Sequence, residues 1–292
     1  MEIFCYRFGT LLGIPVPPAH VAYDSDNDSC GALIEWFLKE DKIRAGRTNS
    51  LKNIRMLDKL SFIYPFTDML INFLTPKIKR HIERYTPGGD YLQRVIPAYD
   101  RKQGEQHNYE TTARICEVLL GNSNSPAHNW IKYWVITYIF DALIGNTDRH
   151  QDNWGIIWTI QDTTRIGGRL TPIFDNGTSM GHEIFENKFF KFDDDSRIRS
   201  YVNRGTHHMK WKLSDSKKIQ HTNIVPLMIS KYPESKTWIE EILDFPIDEV
   251  RDILQELSRF DVAIPLTEAR ANFMLKLVKT RKETLTKVLL ES

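Results

Sequence analysis

Residues 130–144, Trp-Ile-Lys-Tyr-Trp-Val-Ile-Thr-Tyr-Ile-Phe-Asp-Ala-Leu-Ile, are apolar nearly all the way round a helix. Such a helix has no face to give to water, so it must lie inside a core built by other elements. Ser125 reads as its N-cap, Pro126 as its first residue and Gly145 as its C-terminal cap. The next stretch therefore springs from a rigid base. It is Asn146-Thr-Asp-Arg-His-Gln-Asp-Asn153, dense in side chains that carry chemistry. Two short apolar runs follow, residues 154–159 and 170–174, around a polar turn at 162–168 that holds Gly167-Gly168. That pattern predicts a β-hairpin. Phe174-Asp175-Asn-Gly177 comes straight after it.

A hairpin brings its outer ends together, and with them Asp148, Asn153 and Asp175. Asp148 can accept a proton from a substrate hydroxyl, and Asn153 and Asp175 can hold Mg²⁺ through oxygen. Phosphoryl transfer needs positioning and charge neutralisation more than covalent help, and these residue types supply both. His150 can donate to a phosphate oxygen or steady the loop. The bland alternative is a polar turn whose Asp and Asn side chains bond backbone amides. A third class, a metal-dependent hydrolase on Asp148, His150, Asp152 and Asp175, would more often use several converging histidines.

At 292 residues the chain suits one large domain or two lobes. A net charge of +1 argues against direct nucleic-acid binding. Cys5, Cys30 and Cys116 are odd in number and widely spaced, which points to buried inert thiols and a reducing cytoplasm rather than disulfides or zinc. No apolar run reaches the length of a membrane span, and the N-terminus lacks the pattern of a signal peptide.

The spacing of Ile3, Phe4, Phe8, Leu11 and Leu12 predicts a helix ended by Gly13. Residues 16–23 are extended through their prolines, 24–29 form a polar turn, and 31–38 read as a strand. A charged connector covers 39–47, and the apolar stretch in 48–75 is helical near its end. Residues 86–90 read as a turn, 101–108 as a polar loop and 111–120 as a helix stopped by Gly121. Residues 196–211 mix cations and aromatics; the side chains of adjacent His207 and His208 point to opposite faces of a strand, which argues against a metal there. Helices are expected at 216–232, 234–244 and 247–257, and a long one after Pro265-Leu-Thr267 through Leu290.

The pattern Asn146-x-Asp148-x-His150-x-x-Asn153, a hairpin, then Phe174-Asp175-Asn-Gly resembles the catalytic core of the HipA-like Ser/Thr protein kinases, within the wider phosphatidylinositol-kinase-like clan. The same residues are similar to type II phosphatidylinositol 4-kinases. The likeness is specific over 139–182, looser over 2–17 and 31–38, and does not reach 213–292. It implies an α/β (α+β), protein-kinase-like two-lobe fold: a partial N-lobe at 1–38 (helix, strand, hinge) and a helical C-lobe at 39–292. It implies Asp148 as catalytic base beside His150, and Asn153 and Asp175 as ligands of Mg. Glu2 matches the acid that pairs with the ATP-binding lysine, and Glu35, Trp36, Phe37 and Leu38 would border the adenine. The implied activity is ATP- and Mg-dependent phosphorylation of Ser or Thr of a protein, as the toxin of a toxin–antitoxin pair with an antitoxin partner. In the family a Gly-rich segment and a lysine strand precede the helix that here opens at Met1. Three explanations stand: a truncated or misassigned start, a partner chain that supplies the small-lobe strands, or a catalytically impaired pseudokinase acting as a binding module. A lipid kinase is the alternative enzyme, weakened by the lack of a basic amphipathic membrane helix.

Overall fold

The computed structural model describes residues 1–27, 29–38, 82–121, 129–162 and 165–292. They fall into two compact units. The first joins Met1–Phe37, Pro87–Gly155 and Leu170–Ser292; the second joins Leu38–Thr86 and Ile156–Arg169. The expected connector at 39–47 and the apolar stretch at 48–75 lie outside the described residues.

In the first unit α1 spans Glu2–Leu11 and buries Phe4, Cys5 and Phe8. Gly13 follows in the left-handed region (φ 66°), which stops the helix. Strands β1 (Ala19–Asp24) and β2 (Ser29–Ile34) pair antiparallel, with Ala19 opposite Ile34 and Asp24 opposite Ser29. The expected strand at 31–38 therefore ends early. Beyond Ala19 the partner chain is Pro17-Pro18, which has no N–H to donate, and Glu35 N bonds Pro18 O at 2.8 Å as the last link.

Helices α2 (Gly88–Val95) and α3 (Tyr109–Leu120) pack together. The expected turn at 86–90 is instead the end of a strand running into α2. Pro87, extended at ψ 151°, stands as N-cap. Asn108 caps α3 by accepting from Thr111 N at 2.9 Å. Helix α4 (Trp130–Ile144) is the buried one, and it packs on α3, α6, α7 and α9. Its cap is Asn129, bonded to Lys132 N at 3.0 Å, and not Ser125; Ser125 and Pro126 lie outside the described residues.

A 3₁₀ segment (Glu186–Phe192) and α5 (Asp195–Asn203) lead to α6 (Ile224–Lys231), α7 (Ser235–Leu243), α8 (Ile247–Ser258) and α9 (Glu268–Glu291). Helix α6 is shorter than the 216–232 expected. Residues 219–221 bond across to 205–209 instead: Ile219 N to Met209 O, His207 N to Ile219 O and His221 N to Gly205 O. Thr267 caps the long α9 by accepting from Arg270 N. Phe8 meets Phe140 of α4 and Phe245 ahead of α8, so α1 and the helical elements share one core.

The second unit holds a three-stranded sheet in the order β3 (Ile82–Pro87), β4 (Gly155–Asp162), β5 (Arg165–Leu170). A two-residue link between β4 and β5 forces an antiparallel hairpin. Its second strand runs 165–170 rather than 170–174, and Gly167-Gly168 are strand residues rather than turn. Pro172 lacks the N–H that would carry the ladder further. Cys5 and Cys116 are buried as expected, but Cys30 is only half-buried. Among the described residues no helix is long and apolar enough to cross a membrane.

Candidate active site

Helix α4 ends in a left-handed Gly145 (φ 68°, ψ 39°) whose N–H reaches back to Asp141 O. An ideal Cβ at this position would lie 2.0 Å from Arg281 Nη2, so only glycine fits on both counts. The chain then turns through Asn146. Its Oδ1 accepts from Asp148 N at 3.0 Å and Thr178 Oγ1 at 3.1 Å, and its carbonyl accepts from His221 Nε2 at 3.1 Å.

The centre of the site is Arg149, 2% exposed. Its Nε and Nη2 grip the buried Asp141 carboxylate at 3.1 and 2.7 Å. Nη2 also donates to Asn176 Oδ1 at 2.7 Å, while Nη1 donates to Phe174 O and to Asn153 O at 3.4 Å. One guanidinium thus ties the end of α4, the loop and the segment after the hairpin. Burial raises the Asp141 pKa and Arg149 opposes the rise, while the Asp141 carboxylate raises the pKa of the buried guanidinium. The base of the hairpin is closed by Thr171 N to Gly155 O at 3.1 Å, and Ile173 N bonds Pro15 O at 2.7 Å.

These bonds leave particular atoms over. The Asp148 carbonyl takes His150 N at 2.7 Å and Asn153 Nδ2 at 2.8 Å, but its half-buried carboxylate accepts no hydrogen bond among the described residues. Asn153 spends its amide N–H on that carbonyl, and its Oδ1 has no hydrogen-bond donor among the described residues. Asp175 has φ 57°, in the left-handed region that Asp tolerates better than most residues. Its neighbours hold it there: Phe174 O is on Arg149 and Asn176 N donates to Glu2 Oε1 at 2.6 Å. Its carboxylate is exposed and makes no hydrogen bond or ion pair among the described residues. Oxygen atoms without protein partners are the donor set a hard divalent cation takes.

Glu2 is held by the Asn176 amide, and no basic side chain makes an ion pair with it among the described residues. Burial raises its pKa, helped by nearby Asp175 and opposed by the amide bond. His150 accepts from Asp152 N through Nδ1 at 3.2 Å, so a neutral ring carries its proton on Nε2. Asp152 grips Arg101 with both oxygens, at 2.5 and 3.0 Å, so the hydrolase constellation loses that carboxylate. No group of three or more His, Cys, Asp or Glu suited to a metal occurs among the described residues, His207 and His208 included.

Of the adenine candidates, Phe37 packs on Phe174 with ring centroids 5.2 Å apart, one residue from Asp175, and Trp36 stacks on Phe37 at 4.4 Å. Glu35 instead pairs with His20 at 3.0 Å, and Leu38 belongs to the other compact unit. The structure therefore gathers Glu2, Phe37, Asp148, His150, Asn153 and Asp175. Sequence reasoning gave no role to Arg149, Asp141, Asn146 or Asn176, and weighed His208 only as a metal ligand. His208 lies against His150 (ring centroids 6.0 Å), and burial, then Lys218, lowers its pKa to about 4. The usable signal was a lone Asp in an otherwise apolar helix eight residues before an Arg.

No protein-family model and no curated sequence matches the chain. Among solved structures, the Helicobacter pylori proinflammatory kinase CtkA matches with a TM-score of 0.65 at 13% identity, over 99% of this chain and 86% of that one. The chain has the fold of that kinase. HipA of the Shewanella oneidensis MR-1 toxin–antitoxin system, solved with HipB and operator DNA, matches at a TM-score of 0.46 and 10% identity, over 98% of this chain and 55% of that one.

Proposed function

We propose that the protein is a kinase that transfers the γ-phosphoryl group of Mg-ATP to a Ser or Thr hydroxyl of a protein. The carrying observation is the Arg149 knot. It joins the loop carbonyl of Asn153 to Phe174 and Asn176 while the Asp148 and Asp175 carboxylates accept no hydrogen bond among the described residues. The fold shared with a kinase supports the same reading.

In this reading Asn153 and Asp175 would hold the metal, and Glu2 and Phe37, with Trp36 stacked on it, would border the nucleotide. Bound Mg-ATP supplies the phosphoryl group and neutralises its charge. Asp148 orients the acceptor hydroxyl and takes its proton as the oxygen attacks. His150 steadies the loop through the Asp152 amide. The Arg149 network keeps both segments in register, so little reorganisation accompanies the reaction. Residues 1–38 would be small-lobe chain, and the remainder the large lobe. The toxin role and the antitoxin partner rest on the sequence resemblance alone. A second reading, a pseudokinase that binds a partner, draws on Glu2, whose carboxylate meets a backbone amide rather than a cation.

The test compares Asp148→Asn with Asp175→Asn in Mg-ATP calorimetry and in phosphate transfer to protein acceptors. Asp148→Asn should keep nucleotide binding and lose transfer by roughly 10²–10⁴. Asp175→Asn should lose both. Unchanged transfer in Asp148→Asn removes its role as base, and binding without transfer in the wild type selects the pseudokinase.

A further inference from the structure

A cavity of about 300 Å³ opens beside the catalytic loop, walled on one side by Gly145 and Thr147. The rest of its lining includes Arg204 and Thr206 after α5, His221, and Arg281 of α9. Arg281 is 4% exposed. Its hydrogen bonds run to neutral acceptors: from Nη1 to Ile144 O at 2.9 Å, Leu143 O at 3.5 Å and Met180 Sδ at 3.9 Å, and to the Tyr201 hydroxyl. It forms no ion pair among the described residues, and burial lowers its pKa to about 10. A guanidinium has five donors, so most of this one's capacity is not spent on those carbonyls.

The other charges in the wall can be counted. Arg204 is exposed and uses only Nε, on Ser200 O at 3.2 Å. His221 is neutral, its pKa lowered to about 3 by burial and then by Arg281. Glu183 takes the Tyr201 hydroxyl at 2.7 Å and stands 3.5 Å from His182 Nδ1. At neutral pH the lining thus holds two guanidiniums against one carboxylate, Glu183, which takes the Tyr201 hydroxyl and offsets part of the Arg281 charge through space. An occupant with negative charge completes it.

The cavity wall and the seat of the base are the same few residues. His221 holds Asn146 O, and Asn146 Oδ1 holds Asp148 N. Thr147, in the cavity wall, is the residue before Asp148, so the cavity lies beside the position of the base. Resting on the kinase reading above, we infer that this cavity is a substrate subsite for an oxyanion-bearing side chain, carboxylate or phosphate, within a few residues of the acceptor hydroxyl. Arg204 receives the anion at the rim and Arg281 at depth.

The probes are N-acetyl-aspartate amide, N-acetyl-phosphoserine amide and, as neutral control, N-acetyl-asparagine amide. Each is titrated into the full chain while the backbone amide resonances of Gly145, Thr147 and Gly205 are followed. The two anions should give saturable shifts and the control none, and the tighter of the two identifies the source. Arg204→Gln alters an exposed residue, so the fold should stand, and binding should weaken about tenfold. Arg281→Lys, which keeps the charge and loses the fork, should weaken the phosphate probe more than the carboxylate. Equal shifts from the control, or none from any probe, overturn the subsite. Transfer from Mg-ATP to a Ser-peptide library gives the second readout: an acidic residue at one fixed position should lower KM about tenfold, and Arg204→Gln should erase that preference. Transfer without charge preference overturns the subsite and leaves the kinase standing. Anion binding without any transfer overturns the kinase reading, and with it the cavity's role for substrate.

Discussion

Arg149 carries a full charge into the core, and stripping water from such an ion costs several kcal/mol. Asp141, Asn176 and two carbonyls offset that cost with directed bonds, which a lysine could not reproduce. Arg149→Met should therefore leave Asp141 buried and uncompensated, and lower stability by about 3–5 kcal/mol in urea unfolding. The double variant Arg149→Met, Asp141→Leu should regain much of the loss. A single variant no less stable than the double would mean that the pair holds no buried charge. Arg149 stands inside the motif that sequence reasoning singled out, yet its role was illegible there. Which way a loop side chain points follows no period. Asp148 and Asp175 were named from residue type and spacing, and among the described residues their carboxylates accept no hydrogen bond.

The loop is held at its far end by one aromatic. Trp154 is fully buried, donates Nε1–H to His107 Nε2 at 3.2 Å and meets Trp134 of α4 edge-on at 5.3 Å. Its ring lies where a side chain on the first residue of α2 would be: an ideal Cβ on Gly88 comes 2.1 Å from Trp154 Cε2. Gly88 N also bonds Trp154 O at 2.9 Å. Gly88→Ala should cost about 1–3 kcal/mol through this overpacking and lower the melting temperature. Transfer activity should fall with it, because Asn153 is the next residue along. An unchanged melting temperature would show that Trp154 can swing away. The Thr86-Pro-Gly-Gly stretch looked like a turn for the ordinary reason that Pro and Gly favour turns. The glycines serve the opposite purpose here, as helix residues kept small, Gly88 for the Trp154 ring and Gly89 for the Asp152–Arg101 pair.

At the scale of the whole molecule, three neutral histidines are sealed inside the first unit: His107, His207 and His221. Burial, the leading cause in each, lowers their pKa values, to about 3 for His221. The unfolded chain binds protons near pH 6.5, whereas the folded chain refuses them until the pH is far lower. Stability is thus whole above about pH 6.5 and is lost as the pH falls. The slope is about 1.4 kcal/mol per pH unit for each buried histidine until its folded pKa is reached. Glu2 and Asp141 act with the opposite sign, since their raised pKa values let the folded state take protons first, but they titrate below the range in which the unfolded histidines do, and His208 adds to the histidine side. Urea unfolding at pH 7.5, 6 and 5 should give steadily falling stabilities. A flat profile would mean that these rings are solvated or partnered.

Helices α1, α3, α4 and α6 to α9, the glycines after the first three and the hairpin follow from local pattern, because each rests on periodicity or turn chemistry within a few residues; α2 and α5 were not legible in it. The tertiary structure alone decided the rest. The end of β2 was set by Pro17-Pro18 in the facing chain, and the fate of 219–221 by bonds to 205–209. The Arg149 knot and the cationic cavity join residues up to 138 positions apart, such as Arg281 and Leu143. Burial and hydrogen bonding at that separation depend on which segments the core brings face to face, and no local spacing encodes that choice.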